Sequence, residues 1–103
     1  MPTWYTVAKV NEIASGRLKQ VVVGGAEIAL ANLEGRFYAV SNECTHAACA
    51  LSEEGQLEGE ELTCNCHGSM FNVTTGEVLQ GPAVDNLRSF KTRLEGDNIL
   101  VEV

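Results

Sequence analysis

Residues 21–40 read VVVGGAEIALANLEGRFYAV, three apolar runs separated by two turns that contain glycine. Gly24 and Gly25 divide the first run from the second, and Glu34 and Gly35 divide the second from the third. Short runs rich in branched and aromatic side chains, bounded by such turns, are typical of strands joined by tight hairpins. Residues 21–40 therefore predict three short strands in succession.

The same pattern recurs along the chain. TWYTVAKV at residues 3–10 alternates between apolar and polar side chains, MFNVTTGEVL turns at residues 74–76, and TRLEGDNILVEV turns at residues 96–98. No stretch shows sustained helical periodicity. The sequence therefore predicts an all-β fold of roughly eight to ten short strands, arranged as an antiparallel β sandwich or barrel.

Length and composition indicate a small globular protein. With 103 residues and 45% hydrophobic residues, the chain forms one domain over residues 1–103 with a modest core. No apolar run approaches the length of a membrane span. The N-terminal stretch MPTWYTVAKV lacks a basic start followed by an apolar segment, so no secretory signal is visible. We expect a cytoplasmic protein without a membrane span.

The formal net charge of −7 is unevenly distributed. Residues 37–87 contain eight acidic residues and no lysine or arginine, whereas all seven basic residues lie outside that segment. Such a surface repels nucleic acid, because binding to phosphates depends on lysine and arginine. It attracts proteins whose docking surfaces are basic.

All four cysteines and both histidines lie in two short runs, CTHAAC at residues 44–49 and CNCHGS at residues 64–69. In a reducing compartment, clustered cysteines bind metal more often than they pair with each other. Cys44, His46, Cys64 and His67 offer two thiolates and two imidazoles, a set that structural zinc accepts. Each run supplies one sulfur and one nitrogen, however, which suits a site with two metal ions. A zinc module and a binuclear iron site are therefore both compatible with the spacing.

The two runs resemble the cluster-binding boxes of Rieske iron–sulfur proteins. The flanking segments LSEEGQLEGEELTC, FNVTTGEVLQGPA and LEGDNILVEV are similar to the soluble Rieske ferredoxins that serve oxygenases, and the resemblance covers nearly the whole chain. It implies one [2Fe–2S] cluster per chain, with Cys44 and Cys64 on one iron and His46 and His67 on the other. It also implies a Rieske-type fold, in which two loops form a small cluster-binding subdomain over about residues 42–83.

The resemblance assigns roles to three neighbouring residues. Pro82 is similar to the proline of the loop that covers the cluster in this family. Ser69 matches the serine of the second box, which donates a hydrogen bond to a sulfur atom in members of high reduction potential. Phe71 stands where those members carry a tyrosine, so this position supplies no second hydroxyl donor.

Cys49 and Cys66 match a pair that forms a disulfide in the Rieske proteins of cytochrome bc complexes. Most oxygenase ferredoxins lack this pair, so the chain combines a ferredoxin body with a bc-type disulfide. Two free thiols are the alternative in a reducing cytosol. Ala47 and Ala48 replace the Leu-Gly of the bc-type box, which argues against docking to a quinol site.

The resemblance implies a one-electron carrier rather than an enzyme. The chain has no dinucleotide-binding fingerprint, so a separate flavoprotein reductase must supply the electrons, and a terminal oxygenase is the expected acceptor. Three alternatives remain open at the level of the sequence. They are the Rieske small subunit of a nitrite-reductase-like enzyme, a soluble relative of the cytochrome bc-type proteins, and a structural zinc module.

Overall fold

The computed structural model describes residues 3–43, 49–66 and 68–103. Its described residues form eleven strands, one turn of 3₁₀ helix at Val10–Glu12 and one turn of α-helix, α1, at Leu51–Glu54. None of the helices in this part of the chain is long and apolar enough to cross a membrane. The strands are β1 (Trp4–Lys9), β2 (Leu18–Val23), β3 (Ala26–Leu33), β4 (Arg36–Ser41), β5 (Gly55–Glu58), β6 (Glu61–Cys64), β7 (Met70–Asn72), β8 (Val78–Gln80), β9 (Ser89–Phe90), β10 (Thr92–Glu95) and β11 (Asn98–Glu102).

The strands form three antiparallel sheets, which confirms the predicted all-β class. The first sheet has the order β1-β11-β10, the second β2-β3-β4-β9, and the third β5-β6-β7-β8. The β2–β3 hairpin turns at Gly24 and Gly25, whose φ angles are 55° and 80°. A two-residue turn of this kind needs positive φ at both central positions, which glycine adopts without steric cost.

Strand β3 is the middle layer of the molecule, since both of its faces are buried. Successive side chains of a strand point to opposite faces. Ile28 and Leu30 belong to the core shared with the first sheet, and Ala29 and Ala31 belong to the core shared with the third. The large side chains thus fill the space beneath the first sheet, while the short methyl groups let the third sheet pack closely.

The two cores differ in what they contain. The core on the first-sheet side consists of Ala8, Ile13, Val21, Ile28, Leu30, Phe37, Ala39, Ile99 and Val101. The core on the third-sheet side consists of Ala29, Ala31, Val40, Leu51, Leu62, Cys64, Phe71, Val73, Ala83 and Leu87. Cys64, the one predicted metal ligand among the described residues, belongs to the second core, so the third sheet positions this ligand.

The third sheet contains both predicted and unpredicted elements. Strands β7 and β8 form the predicted hairpin at residues 74–76, where the Asn72 Oδ1 accepts a hydrogen bond from the Thr74 N–H at 2.9 Å. The β5–β6 hairpin and α1 were not predicted, because strands of four residues and a single helical turn are too short to show a period. This sheet lies inside residues 42–83, the subdomain range that stays a prediction.

Candidate metal centre

The second Cys/His run is a tight turn between β6 and β7. Cys64 is the last residue of β6, and its N–H donates to the Ser69 carbonyl oxygen at 2.8 Å. The Gly68 N–H donates back to the Cys64 carbonyl oxygen, also at 2.8 Å. These two hydrogen bonds close the base of the turn. Cys64 is only 1% exposed, and His67 lies outside the described residues.

The segments on either side of the first Cys/His run are held together. Glu43 and Ala50 form an isolated antiparallel bridge across its base. The buried Asn42 accepts two hydrogen bonds there, through its carbonyl oxygen from the Leu51 N–H at 2.6 Å and through Oδ1 from the Ser52 N–H at 2.8 Å. The two ligands predicted in this loop, Cys44 and His46, fall within residues 44–48, which are outside the described residues.

Asn42 is a structural residue of the site that sequence reasoning missed. It supplies the capping acceptor for α1, because Ala50 at the N-cap has no side-chain hydrogen bond. Its Oδ1 partner lies ten residues further along the chain, so no local motif identifies it. The amide therefore ties the end of β4 to the start of α1 on either side of the first loop.

A disulfide joins the two loops. The sulfur atoms of Cys49 and Cys66 are bonded, with a Cα–Cα distance of 6.7 Å. The sulfur atoms of Cys49, Cys64 and Cys66 all lie within 4.8 Å of one another. Because sulfurs in a disulfide are not thiolates, Cys64 is the cysteine of these three that remains suited to bind a metal ion. This arrangement does not favour a zinc module built from all three.

Two hydrogen bonds connect the segment around Pro82, which we call the proline loop, to the second Cys/His run. The Ala83 N–H donates to the Ser69 Oγ at 3.0 Å, and the Gln80 Nε2 donates to the Gly68 carbonyl oxygen at 3.2 Å. Ser69 is completely buried, whereas Pro82, which follows a cis peptide bond after Gly81, is exposed. Gln80 is a second residue of the site that sequence reasoning missed.

The described residues fit an iron–sulfur cluster. A buried cysteine sulfur is a soft donor of the kind that such clusters use. The Ser69 hydroxyl accepts one hydrogen bond from Ala83 and still carries a proton to donate. Phe71 is completely buried in the same core as Cys64 and pairs with Leu62 on β6, so an aromatic ring without a hydroxyl belongs to this core. The four-ligand set itself stays a prediction.

Comparisons with known proteins identify the family. The profile of the Rieske [2Fe-2S] domain matches residues 3–91. The ferredoxin component of a naphthalene 1,2-dioxygenase system from Pseudomonas aeruginosa is 36% identical over 100 residues, which cover 97% of this chain and 95% of that protein.

Solved structures give the same result. The ferredoxin of carbazole 1,9a-dioxygenase from Nocardioides aromaticivorans is 31% identical, with a TM-score of 0.90 and coverage of 96% of both chains. A ferredoxin solved as a complex of reduced oxygenase and oxidized ferredoxin in carbazole 1,9a-dioxygenase is 32% identical, with a TM-score of 0.87 and coverage of 95% of this chain and 91% of that chain. The chain therefore belongs to the Rieske [2Fe-2S] family, whose cofactor is a [2Fe–2S] cluster.

Proposed function

We propose that this chain is the ferredoxin component of an oxygenase system. It is a one-electron carrier that accepts an electron from a flavoprotein reductase in the cytoplasm and passes it to a terminal oxygenase. The observation that carries the proposal is the extent of the likeness, since ferredoxin components of dioxygenase systems match this chain over nearly their whole length as well as its own. The reaction on the final substrate belongs to the oxygenase.

The proposed ligands determine how readily the electron is accepted. The bound [2Fe–2S] cluster supplies a one-electron couple. Cys44 and Cys64 provide two thiolates, and His46 and His67 provide neutral imidazoles. Compared with four thiolates, this set raises the formal charge of the oxidised site from −2 to zero. An electron enters a neutral site more easily than an anionic one, so the reduction potential rises, which agrees with the higher range of Rieske centres.

Ser69 has two proposed roles. Its hydroxyl group influences the reduction potential, and it also positions the loop that contains Pro82. Its Oγ accepts the Ala83 N–H, which fixes the residue that follows Pro82. Its own proton would be donated to a sulfur atom of the site when the cluster is bound. This bond is stronger in the reduced state, because the sulfur then carries more negative charge. The hydroxyl therefore favours reduction.

Exposed apolar side chains in the segment around Pro82 are the proposed contact for the redox partners. We call Leu79, Pro82 and Val84 the proline-loop patch. Val84 is 83% exposed and Leu79 is 47% exposed, although both flank residues that are hydrogen-bonded to the second Cys/His run. The patch lies in the segment that has eight acidic and no basic residues. It therefore fits a partner with an apolar contact surrounded by lysine and arginine.

Electron transfer to an oxygenase tests the proposal. The reduced protein is mixed in a stopped-flow instrument with the terminal oxygenase of a naphthalene 1,2-dioxygenase system, and oxidation of the carrier is followed by its visible absorption. Val84→Glu should slow this step by about tenfold, a typical loss at an interface contact. Val22→Glu, at an exposed position on β2 that lies outside the patch, is the matched control.

Three results bear on the outcome. A tenfold loss in Val84→Glu, with an unchanged rate in Val22→Glu, supports the carrier and its docking surface. Equal rates in both variants contradict the patch. Failure of the wild-type protein to reduce the oxygenases of naphthalene, biphenyl and carbazole systems contradicts the assignment to this class of partner.

The disulfide favours a second candidate, a soluble relative of the cytochrome bc-type Rieske proteins. The Cys49–Cys66 bond is the feature that this group shares with the chain. The stopped-flow experiment distinguishes the two, because an oxygenase ferredoxin should reduce a terminal oxygenase and a bc-type relative should not. Because Phe71 supplies no hydroxyl in either case, the reduction potential should lie in the lower half of the Rieske range of about −150 to +300 mV. A value near the upper end in protein-film voltammetry would contradict this tuning.

A further inference from the structure

Three cysteine sulfur atoms meet at the point where the two loops join. Cys49 and Cys66 are bonded, and the sulfur of Cys64 lies within 4.8 Å of both. The Cys64 side chain is buried at the end of β6, so its position is fixed by the sheet and by the closed turn that follows. We call these three atoms the sulfur triad.

A thiolate beside a disulfide is the reactant pair for thiol–disulfide exchange. The thiolate attacks one sulfur of the bond and the other leaves as a new thiolate, so no oxidant or reductant is needed. In the working protein, the proposed bond to iron engages the Cys64 sulfur. Withdrawal of iron releases it as a thiolate next to the Cys49–Cys66 bond.

We propose that Cys64 exchanges with this disulfide whenever iron is lost. The Cys64 thiolate attacks the Cys49 sulfur, the Cys49–Cys64 bond forms, the Cys49–Cys66 bond breaks, and Cys66 leaves as a thiolate that takes a proton from water. Cys64 and Cys66 are two residues apart in one turn, so the swap replaces one sulfur by its neighbour while Cys49 keeps its role. The inference rests on the proposed ligation by Cys64.

As a consequence, insertion of the cluster depends on the redox state of these three cysteines. We call this dependence the checkpoint. In the exchanged form a metal ligand is held in a disulfide and cannot accept iron. Exchange is reversible, and a dithiol restores the ligand by opening either form of the bond. The class of reaction that must precede efficient reinsertion is therefore reduction or exchange by a cellular dithiol.

Disulfide mapping after iron removal tests the exchange. The purified iron-loaded protein is treated anaerobically with a ferrous chelator, quenched in acid, alkylated, digested and analysed by mass spectrometry. The Cys49–Cys64 bridge should appear in at least about a tenth of the molecules, the share expected if the two bonds differ by no more than about 1.4 kcal/mol. A bridge from Cys64 to Cys66 would mean that Cys49 is the leaving sulfur and would contradict the proposed attack on Cys49. Exclusive recovery of Cys49–Cys66, or a bridge through Cys44 instead, overturns it.

Two controls separate this inference from the proposed function. Protein that is quenched without chelator should show only Cys49–Cys66, and Cys64→Ala should show only that bond after identical treatment. Iron and sulfide content are measured on the starting material. A protein that never contains them contradicts the proposed function, whereas a loaded protein that keeps only its original bond after chelation contradicts the exchange alone.

The rate of reinsertion gives a second readout. The iron-free protein is supplied with ferrous iron and sulfide, and the return of visible absorption is followed with and without dithiothreitol. The dithiol should accelerate the wild type severalfold, but should leave the double variant Cys49→Ser/Cys66→Ser unchanged because it has no bond to exchange. An equal acceleration of both proteins would contradict the checkpoint.

Discussion

The first two sheets and the third sheet are stabilised in different ways. In the second sheet β2, β3 and β4 have six, eight and six residues, and they share with the first sheet an apolar core that includes Ile28 and Leu30. The strands of the third sheet have only three or four residues. Its side of the molecule also has an apolar core, which includes Leu62 and Phe71, but there a disulfide, the Ser69–Ala83 hydrogen bond and the Asn42 cap connect the loops in addition.

Because of this difference, the interactions that contribute most to the free energy of folding are not the ones that set the geometry of the site. Burial of apolar surface is non-directional and holds the body together. Hydrogen bonds and a covalent link are directional, and they fix where Cys64 and Ser69 lie. Changes in the body should therefore alter global stability with little effect on the reduction potential, and changes around the site should do the reverse.

The largest expected effect on folding comes from the body. Leu30 is completely buried between the first and second sheets, and Leu30→Ala should lower the free energy of unfolding by about 2–5 kcal/mol. Denaturant unfolding followed by circular dichroism measures it. Leu79→Ala, at a half-exposed position in the proline-loop patch, is the matched control and should change stability little. Similar losses in both variants would contradict the division between body and site.

Removal of the disulfide should open the site before the body. Cys49→Ser/Cys66→Ser frees the two loops, which a bond of this loop length constrains by about 3 kcal/mol. On heating, visible absorption should disappear at a lower temperature than in the wild type, while the loss of β structure shifts less. Thermal scans with both probes test this. Coincident transitions that shift by the same amount would show that the bond stabilises the whole fold rather than the site.

Substitutions that remove or add one hydroxyl group should give the smallest effects, and they compare the site directly with the body. Ser69→Ala should lower the reduction potential by tens of millivolts, since about 1.4 kcal/mol corresponds to roughly 60 mV for one electron. Phe71→Tyr should raise it if the new hydroxyl reaches a sulfur. Thr92, whose Oγ1 donates to the Phe37 carbonyl oxygen at 2.6 Å, is the control in the body. Thr92→Ala should cost stability and leave the potential unchanged.

Voltammetry of these variants has a clear contradicting result. An unchanged potential in Ser69→Ala would mean that its proton is not donated to the site. A shift of similar size in Thr92→Ala would mean that the potential responds to general loosening, in which case the body and the site are not separable.

Local patterns predicted the body well. The hairpins at residues 24–25, 34–35 and 96–98 are set by neighbouring turn residues and by apolar runs on either side, which a sequence displays directly. The distribution of large and small side chains along β3 could not be interpreted from the sequence. Ile28 and Ala29 are both apolar, and only the arrangement of the three sheets shows that they belong to different cores.

Resemblance to a family singled out Ser69 and the Cys49–Cys66 pair, because both occupy recognisable positions in the two runs. The structure contains the Cys49–Cys66 bond, whereas the four ligands and the role of Ser69 stay predictions. Asn42 and Gln80 do not occupy such positions, because each acts on a backbone group ten or more residues away. Contacts between distant segments have no local signature, so the residues that hold the loops in place are found only in the folded structure.

Metal analysis combined with electron paramagnetic resonance tests the central assignment most directly. The purified protein should be red-brown and contain two irons and two acid-labile sulfides per chain. After reduction it should give a signal with a low average g value, because two histidine nitrogens replace two thiolates at one iron. Stoichiometric zinc in a colourless, fully folded protein would contradict the account.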